Sequence, residues 1–255
     1  LVMIPDRVTI DLPCLAEVIQ KQHISVFFIT SALFHALVDY EISALKYVRK
    51  ILIGGDVVSI EHMRKALAIL GPDKLIHAYG PTETTVFATY YPINYIKQDE
   101  VSIQIGYPIA NTRLYILDQE CKPVPSYVQG ELYIGGDGVA KEYLNRPELT
   151  QYAFLNDPFV ESGRMYRTGD LAKRLSNGAI VFLGRQDFQV KIRGFRIELG
   201  EVENTIQSIS GVKSVVVIAQ KDNHDNDFLT AYYVHPAMTP IKMQAALTKI
   251  LPRYM

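Results

Sequence analysis

The sequence has no long unbroken apolar run, few cysteines and no excess of charge of either sign. Its most apolar stretch, Ile24 to Val38, is interrupted by Ser25, Thr30, Ser31 and His35. A membrane-spanning helix needs about 20 predominantly apolar residues, so this stretch reads as a buried strand running into a helix. Lys and Arg number 26 against 27 Asp and Glu, a formal net charge of −1. That balance offers no electrostatic footprint for nucleic acid or an anionic membrane surface. Cys14 and Cys121 are far apart in sequence, which speaks against a disulfide framework or a zinc site. None of the histidines (His23, His35, His62, His77, His224, His235) falls at metal-ligand spacing. The opening Leu-Val-Met-Ile reads as a strand and not as a signal peptide, and the sequence shows no internal repeat or low-complexity tract. The abrupt start at Leu1 and stop at Met255 suggest a piece of a larger protein. What remains, 255 residues with 48% hydrophobic and 21% charged, is a folded globular chain. It has the size of one large domain or a medium one with a small satellite.

From Asp11 to about Tyr91, helical and strand patterns alternate. Leu15, Val18 and Ile19 share one helix face after the Asp11-Leu12-Pro13 start signal. Ile24–Ile29 reads as a buried strand, with Ser31 placed to cap a following helix through Val38. Lys50–Ile53 reads as a strand ending at Gly54-Gly55. Ile60–Leu70 has helical spacing and stops at Gly71-Pro72. Leu75–Tyr79 and Val86–Tyr91 are the next strands. This alternation predicts an α/β layered region with mainly parallel strands. After Pro92 the pattern changes. Thr112–Leu117, Gly130–Ile134, Leu171–Leu175 and Ala179–Leu183 are short strand-like segments, predicting a smaller antiparallel sheet. Beyond Asp187 the order is strand (Gln189–Arg193), helix (Glu198–Ile209), two strands (Val212–Ala219, Phe228–Val234) and a helix from Ile241. The boundary is therefore expected at Arg185–Asp187, with parts 1–186 and 187–255.

Four segments carry chemistry. Tyr79-Gly80-Pro81-Thr82-Glu83-Thr84-Thr85 leaves a buried strand and exposes hydroxyls beside one carboxylate. Open α/β sheets bind ligands outside the carboxyl ends of their strands. Thr hydroxyls can donate to a phosphate, and a carboxylate beside them suits a bridging Mg²⁺. A plain surface turn accounts for the same residues. Gly130 to Gly138 ends a strand in glycines. It matches no phosphate-binding loop, and sheet-edge glycines with positive φ are the better reading. In Tyr166-Arg167-Thr168-Gly169-Asp170-Leu171, Asp170 is either a turn-forming acid or a loop carboxylate able to accept both ribose hydroxyls. Gly184 to Glu203 is dense in both charges. A solvated strand with a capped helix explains most of it, and its cations leave room for nucleotide contacts.

In this order the segments YGPTETT, GELYIGGDGVAKEYLNRPELT, YRTGDL, GRQDFQVKIRGFRIELGEVE and LPRYM are specific. From about Ile24 to Met255 the chain resembles the adenylation domains of nonribosomal peptide synthetases. These belong to the adenylate-forming superfamily, with acyl-CoA synthetases and luciferases. The resemblance implies the second half of that family's large lobe, α/β layers plus a small antiparallel subdomain, followed by a small α+β lobe. It also implies site roles. Tyr79 resembles the aromatic that stacks on adenine, beside Gly80. Thr82 resembles the α-phosphate hydroxyl, and Glu83 the Mg²⁺ ligand. Asp170 resembles the ribose acid and Arg185 its basic neighbour. Gly54, Gly55 and Asp56 resemble the loop beside adenine and the substrate pocket. Asp187 matches the hinge between lobes, and Lys191 lies on the stretch that faces the site after the small lobe rotates.

By motif position, Ala32, Ile51, Ile53, Ala78, Val86 and Phe87 should line the substrate pocket. All are apolar, and a charged side chain buried against them would be costly. An apolar or aromatic amino acid is therefore expected. The implied reaction consumes ATP with Mg²⁺, forms aminoacyl-AMP and transfers the acyl group to the phosphopantetheine thiol of a carrier protein. Implied partners are that carrier, neighbouring synthetase domains and a small activator protein, with neither nucleic acid nor membrane; the implied location is the cytoplasm. The family's triphosphate loop, its amino-group partner and its adenylation lysine have no counterpart here. The family runs to roughly twice this length, so the 255 residues alone are expected to be inactive. Lys141-Glu142 stands where Arg-Gly is commoner. Two other readings stay open: an acyl- or aryl-CoA ligase, and a non-catalytic docking module.

Overall fold

Asp11 opens the helix Leu12–Lys21, its carboxylate accepting the Cys14 N–H at 3.0 Å. Such a cap stabilises a helix by about 1 kcal/mol, and Leu15, Ala16 and Ile19 enter the core. The computed structural model describes residues 2–4, 8, 11–186, 189–192, 194–221, 227–252 and 254–255. The chain forms two units, Leu1–Gln186 and Asp187–Met255.

The first unit holds two five-stranded sheets. In one, β1 (Val26–Thr30), β2 (Lys50–Gly54) and β3 (Leu75–Tyr79) run parallel, while β4 (Thr89–Ile93) and β5 (Tyr107–Pro108) follow antiparallel. Helices Leu12–Lys21, Ser31–Glu41 and Ile60–Leu70 supply Ile19, Phe34, Leu37, Met63 and Ala66, which pack with Ile51, Ile53 and Leu75. Ser59 caps the third helix, accepting from the His62 N–H, and Gly71 at φ 78° ends it. The second sheet is antiparallel in the order β10 (Ile180–Arg185), β9 (Arg164–Arg174), β7 (Gly130–Gly136), β6 (Thr112–Leu117), with β8 (Phe154–Asn156) also on β9. Tyr79 of β3, with Ala88 and Ile105 just before β4 and β5, packs against Leu132, Ile134, Ala172 and Ile180 of the second sheet. This apolar seam places the end of β3 next to β9.

Five local expectations change. Ile24–Ile29 is not buried throughout: β1 is an edge strand and exposes Val26 and Phe28. Ser31 is not a cap but the first helical residue, after Thr30. Its hydroxyl donates to the carbonyls of Asp56 (2.9 Å) and Gly54 (3.3 Å), tying the helix start to the loop after β2. β4 begins at Thr89 rather than Val86, because Thr85 and Val86 take left-handed φ of 62° and 67°. β7 lies between β6 and β9, not at an edge; within it, Gly136 at φ 126° has the positive φ expected of these glycines. β9 is much longer than Leu171–Leu175 and contains Asp170.

In the second unit, β11 (Gln189–Ile192) pairs antiparallel with β12 (Phe195–Glu198). β12 falls between the expected strand Gln189–Arg193 and the expected helix from Glu198, where no element was expected. Helix Leu199–Gln207, the ribbon β13 (Ser214–Lys221) with β14 (Asp227–Val234), and helix Pro240–Leu247 follow. Ile197, Val202, Ile206, Val217 and Met243 form their core.

Candidate functional site

β1, β2 and β3 are parallel, so the residues that follow them gather at one edge of the sheet. After β2 come Gly54, Gly55 and Asp56. A side chain at Gly54 would collide with the Ala78 carbonyl on β3, and Gly55 turns at φ 87°. The Asp56 carboxylate accepts the Val57 N–H at 2.7 Å. After β3 the chain makes a sharper turn. Gly80 packs against the backbone of Val86 to Ala88, where a Cβ would come within 2.6–2.8 Å. Thr82–Thr84 forms one turn of 3₁₀ helix, and Ala88 N–H closes back onto the Tyr79 carbonyl at 2.8 Å. Left-handed φ at the β-branched Thr85 and Val86 is costly. Thr85 is held there by its hydroxyl, which donates to the Gly138 carbonyl at 2.8 Å.

Thr82 is exposed, but Glu83 is only 8% exposed. The Tyr143 phenol donates to the Glu83 carboxylate at 2.6 Å, and the Ala140 N–H donates to the Glu83 carbonyl at 2.8 Å. The segment after β7 thus closes over the turn. Burial, then the hydrogen bond to Glu83, push the Tyr143 hydroxyl far above its ordinary range. It stays protonated and can only donate to that carboxylate.

Asp170 is 5% exposed and lies in a strand, not the loop the Thr-Gly-Asp sequence suggested. Gly169 at φ 73° and a shifted register between β7 and β9 mark a bulge there. The bulge is held by a polar network. The Thr168 hydroxyl donates to the Leu132 carbonyl at 2.7 Å and accepts the Asp170 N–H at 2.9 Å. Glu131 accepts from Arg167 Nε at 2.9 Å and from the Gly169 N–H at 3.2 Å. On the far side of Asp170, Arg185 donates to Oδ1 at 2.6 Å and the Tyr79 hydroxyl donates to Oδ2. Burial and then the Asp170 charge hold the Tyr79 hydroxyl well above its usual range, so it too remains a donor.

The structure therefore brings Tyr79 and Gly80 to Asp170 and Arg185, with Thr82 and Glu83 three to four residues along the same turn. Among the pocket candidates, Ala78 is buried at the end of β3 and Ala32 is exposed at the start of its helix. Val86 is 61% exposed, and Phe87 meets Phe28 edge-on with ring centroids 5.2 Å apart. Ile51 and Ile53 do not join them. Both are 0% exposed in the core beneath the helices. Side chains alternate across a sheet, and Gly54, not Ile53, pairs with Ala78. The residues of β2 on the Ala78 face are Leu52 and Gly54. Lys191 lies half-buried on β11 in the second unit, opposite Arg196. Asp187 lies outside the described residues. Sequence reasoning missed Tyr143, Glu131 and Thr168, whose contacts span 36 to 60 residues and leave no local signal. Among the described residues, no group of three or more His, Cys, Asp or Glu could hold a metal, and no helix is long and apolar enough to cross a membrane.

A family model described as AMP-binding enzyme matches residues 1–144. The chain belongs to this family. It is 46% identical over 256 residues to surfactin synthase subunit 1 of Bacillus subtilis, covering 100% of this chain and 7% of that protein. It is 47% identical over 256 residues to bacitracin synthase 1 of Bacillus licheniformis, covering 100% of this chain and 5% of that protein. Among solved structures, it resembles holo-PA1221, an NRPS protein containing adenylation and PCP domains bound to a vinylsulfonamide inhibitor. That match has a TM-score of 0.84 and 31% identity, covering 93% of this chain and 41% of the other. The chain thus spans a small part of the curated relatives it matches and under half of that solved chain. The match to that solved structure shows the same α/β architecture.

Proposed function

We propose that this chain is part of an amino-acid adenylation region in a nonribosomal peptide synthetase. The observation that carries the reading is Asp170, a buried carboxylate brought by Tyr79 and Arg185 to the carboxyl edge of the parallel strands. A carboxylate in that place suits the paired hydroxyls of a ribose. Tyr79 would then offer its ring to adenine, and Arg185 a charge beside the ribose. The glycines and Asp56 after β2 would border the same space.

In this reading Thr82 donates to the α-phosphate. Glu83 supplies a hard carboxylate oxygen of the type Mg²⁺ takes, so the residues present fit that ion. Bound Mg²⁺ would offset the negative charge of the triphosphate. An amino-acid carboxylate oxygen attacks the α-phosphorus, pyrophosphate leaves, and aminoacyl-AMP results. The carrier's phosphopantetheine thiol then attacks the acyl carbonyl, AMP leaves, and a thioester forms. Lys191 would serve once the second unit has turned about a hinge at Asp187. Neighbouring synthetase domains and a small activator protein would be further partners, in the cytoplasm. Ala32, Ala78, Val86 and Phe87, with Leu52 replacing the two buried isoleucines, support an apolar or aromatic substrate. Similarity to the surfactin and bacitracin synthases along the whole of this chain, at 46% and 47% identity, favours this reading over a CoA ligase or a docking module.

The deciding experiment is amino-acid-dependent exchange of pyrophosphate into ATP by the full-length protein. Exchange with an apolar or aromatic amino acid, followed by loading of the carrier thiol, is the expected result. Exchange driven only by a fatty or aryl acid, with transfer to free coenzyme A, would replace it with the ligase reading. No exchange with any acid would leave the docking module.

A further inference from the structure

The Tyr143 phenol has a place that packing alone does not require. Its ring meets Phe154 edge-on at 5.1 Å, an arrangement phenylalanine would make equally well. Its backbone N–H is fixed by the Thr150 hydroxyl at 3.0 Å, on the helix Pro147–Ala153. The hydroxyl then points at one group across 60 residues of sequence, the Glu83 carboxylate at 2.6 Å, with the Tyr166 hydroxyl behind it at 3.4 Å. Glu83 itself rides on a one-turn helix followed by two residues in left-handed backbone.

We propose that Tyr143 is the positioning residue of Glu83, its phenol fixing the carboxylate in the orientation that a Mg²⁺ bound with the triphosphate needs. This rests on the reading of Glu83 given above. A phenol suits the task because it donates one short bond and carries no charge to compete with the cation. A lysine or arginine there would neutralise the carboxylate and weaken its attraction for Mg²⁺. The helix Pro147–Ala153 becomes part of the site by this route: it holds Tyr143, which holds Glu83.

The test is a Mg²⁺ titration of the full-length protein and its Tyr143→Phe, Glu83→Gln and double variants. Half-saturation is read both in pyrophosphate exchange and, without turnover, in calorimetric binding of a non-hydrolysable ATP analogue. Tyr143→Phe should raise the Mg²⁺ half-saturation by about tenfold, the size of a lost charge-assisted hydrogen bond. Glu83→Gln should raise it at least as far, and the double variant no further than Glu83→Gln alone. Half-saturation by the amino acid should not move. A shift for Glu83→Gln but none for Tyr143→Phe, or shifts that add in the double variant, would overturn the proposal and leave the Glu83 reading standing. If Glu83→Gln itself shifts nothing, the Glu83 reading falls and the role of Tyr143 with it.

Discussion

Asp170 and Glu83 are both buried carboxylates at the same edge of the molecule, yet they are held in opposite ways. Asp170 sits within a long central strand, and an arginine and a tyrosine hydroxyl grip its two oxygens. Its backbone is fixed by Thr168 and, through Gly169, by Glu131. Glu83 sits on a short turn whose exit is strained, and the Tyr143 phenol reaches its carboxylate from a separate segment. A group built into a sheet keeps its geometry without a ligand. A group on a strained turn depends on neighbours from other segments, and its geometry can follow what is bound. In the adenylation site proposed above, this would divide a rigid nucleoside end at Asp170 from a more adaptable phosphate end at Glu83.

The largest effect should come from removing the rigid end. Asp170→Ala in the full-length protein deletes a charge-assisted acceptor. ATP affinity should fall by about 10- to 150-fold, equivalent to about 1.5–3 kcal/mol, while the Mg²⁺ requirement stays put. An unchanged ATP affinity, measured by calorimetry, would make Asp170 a purely structural partner of Arg185 and Tyr79. The two carboxylates would then no longer divide the site between them.

How far each end could be read from sequence follows from the same contrast. The turn after β3 was legible because its signals are local: a buried strand, Gly-Pro, then hydroxyls and an acid. Helix Ile60–Leu70 was legible in its bounds, with its stop at Gly71, for the same reason; its Ser59 cap was not read. Asp170 was misplaced into a loop because Thr-Gly-Asp has turn chemistry. What keeps it in a strand is Glu131 and Leu132 on β7, a contact sequence spacing cannot show. Ile51 and Ile53 were assigned to the pocket through a slip of one residue in β2, and in a strand one residue reverses the face. β12 was missed because Phe195-Arg196-Ile197-Glu198 alternates only over four residues and runs straight into a helix.

Acid should loosen the helices packed on the first sheet before the second sheet, which carries Asp170. His35 is on the helix that begins at Ser31, and its Nε2 accepts the Ser59 N–H at 3.0 Å. His62 stacks on it at 4.5 Å, Phe34 meets its edge, and Asp39 lies beyond, bonded to His62 and Lys65. Burial first, and His62 second, lower the His35 pKa from 6.5 to about 4. The fold therefore holds the neutral ring, while the unfolded chain takes a proton near pH 6.5. Stability from this group is complete above pH 6.5 and is lost as the pH falls toward 4, by at most about 2 kcal/mol because the ring keeps some contact with water. Hydrogen exchange between pH 7 and 4 should show faster opening of the helices Ser31–Glu41 and Ile60–Leu70 than of β7 and β9. His35→Gln should flatten that difference; equal loss of protection in both sheets would remove the distinction.

The smallest effects test backbone strain, where the two carboxylates differ most directly. Both lie near positive φ, but at the rigid end it is at Gly169, 73°, and at the compliant end at the β-branched Thr85 and Val86, 62° and 67°. Glycine adopts that conformation without steric penalty, whereas a β-branched residue pays roughly 1–2 kcal/mol. Gly169→Ala should therefore destabilise the protein by about 1–2 kcal/mol. Val86→Gly should do the reverse: it relieves the strain but enlarges the entropy of the unfolded chain, for a net gain of roughly 0.5–1 kcal/mol. Because Val86 is well exposed, little packing is lost to obscure the gain. Thermal unfolding of the two variants should move the midpoint in opposite directions, and pyrophosphate exchange should change its amino-acid preference only for Val86→Gly. A lower midpoint for Val86→Gly would mean that the valine side chain holds the turn together more than its backbone strains it. The compliance assigned to the Glu83 end would then have to come from the Tyr143 contact alone.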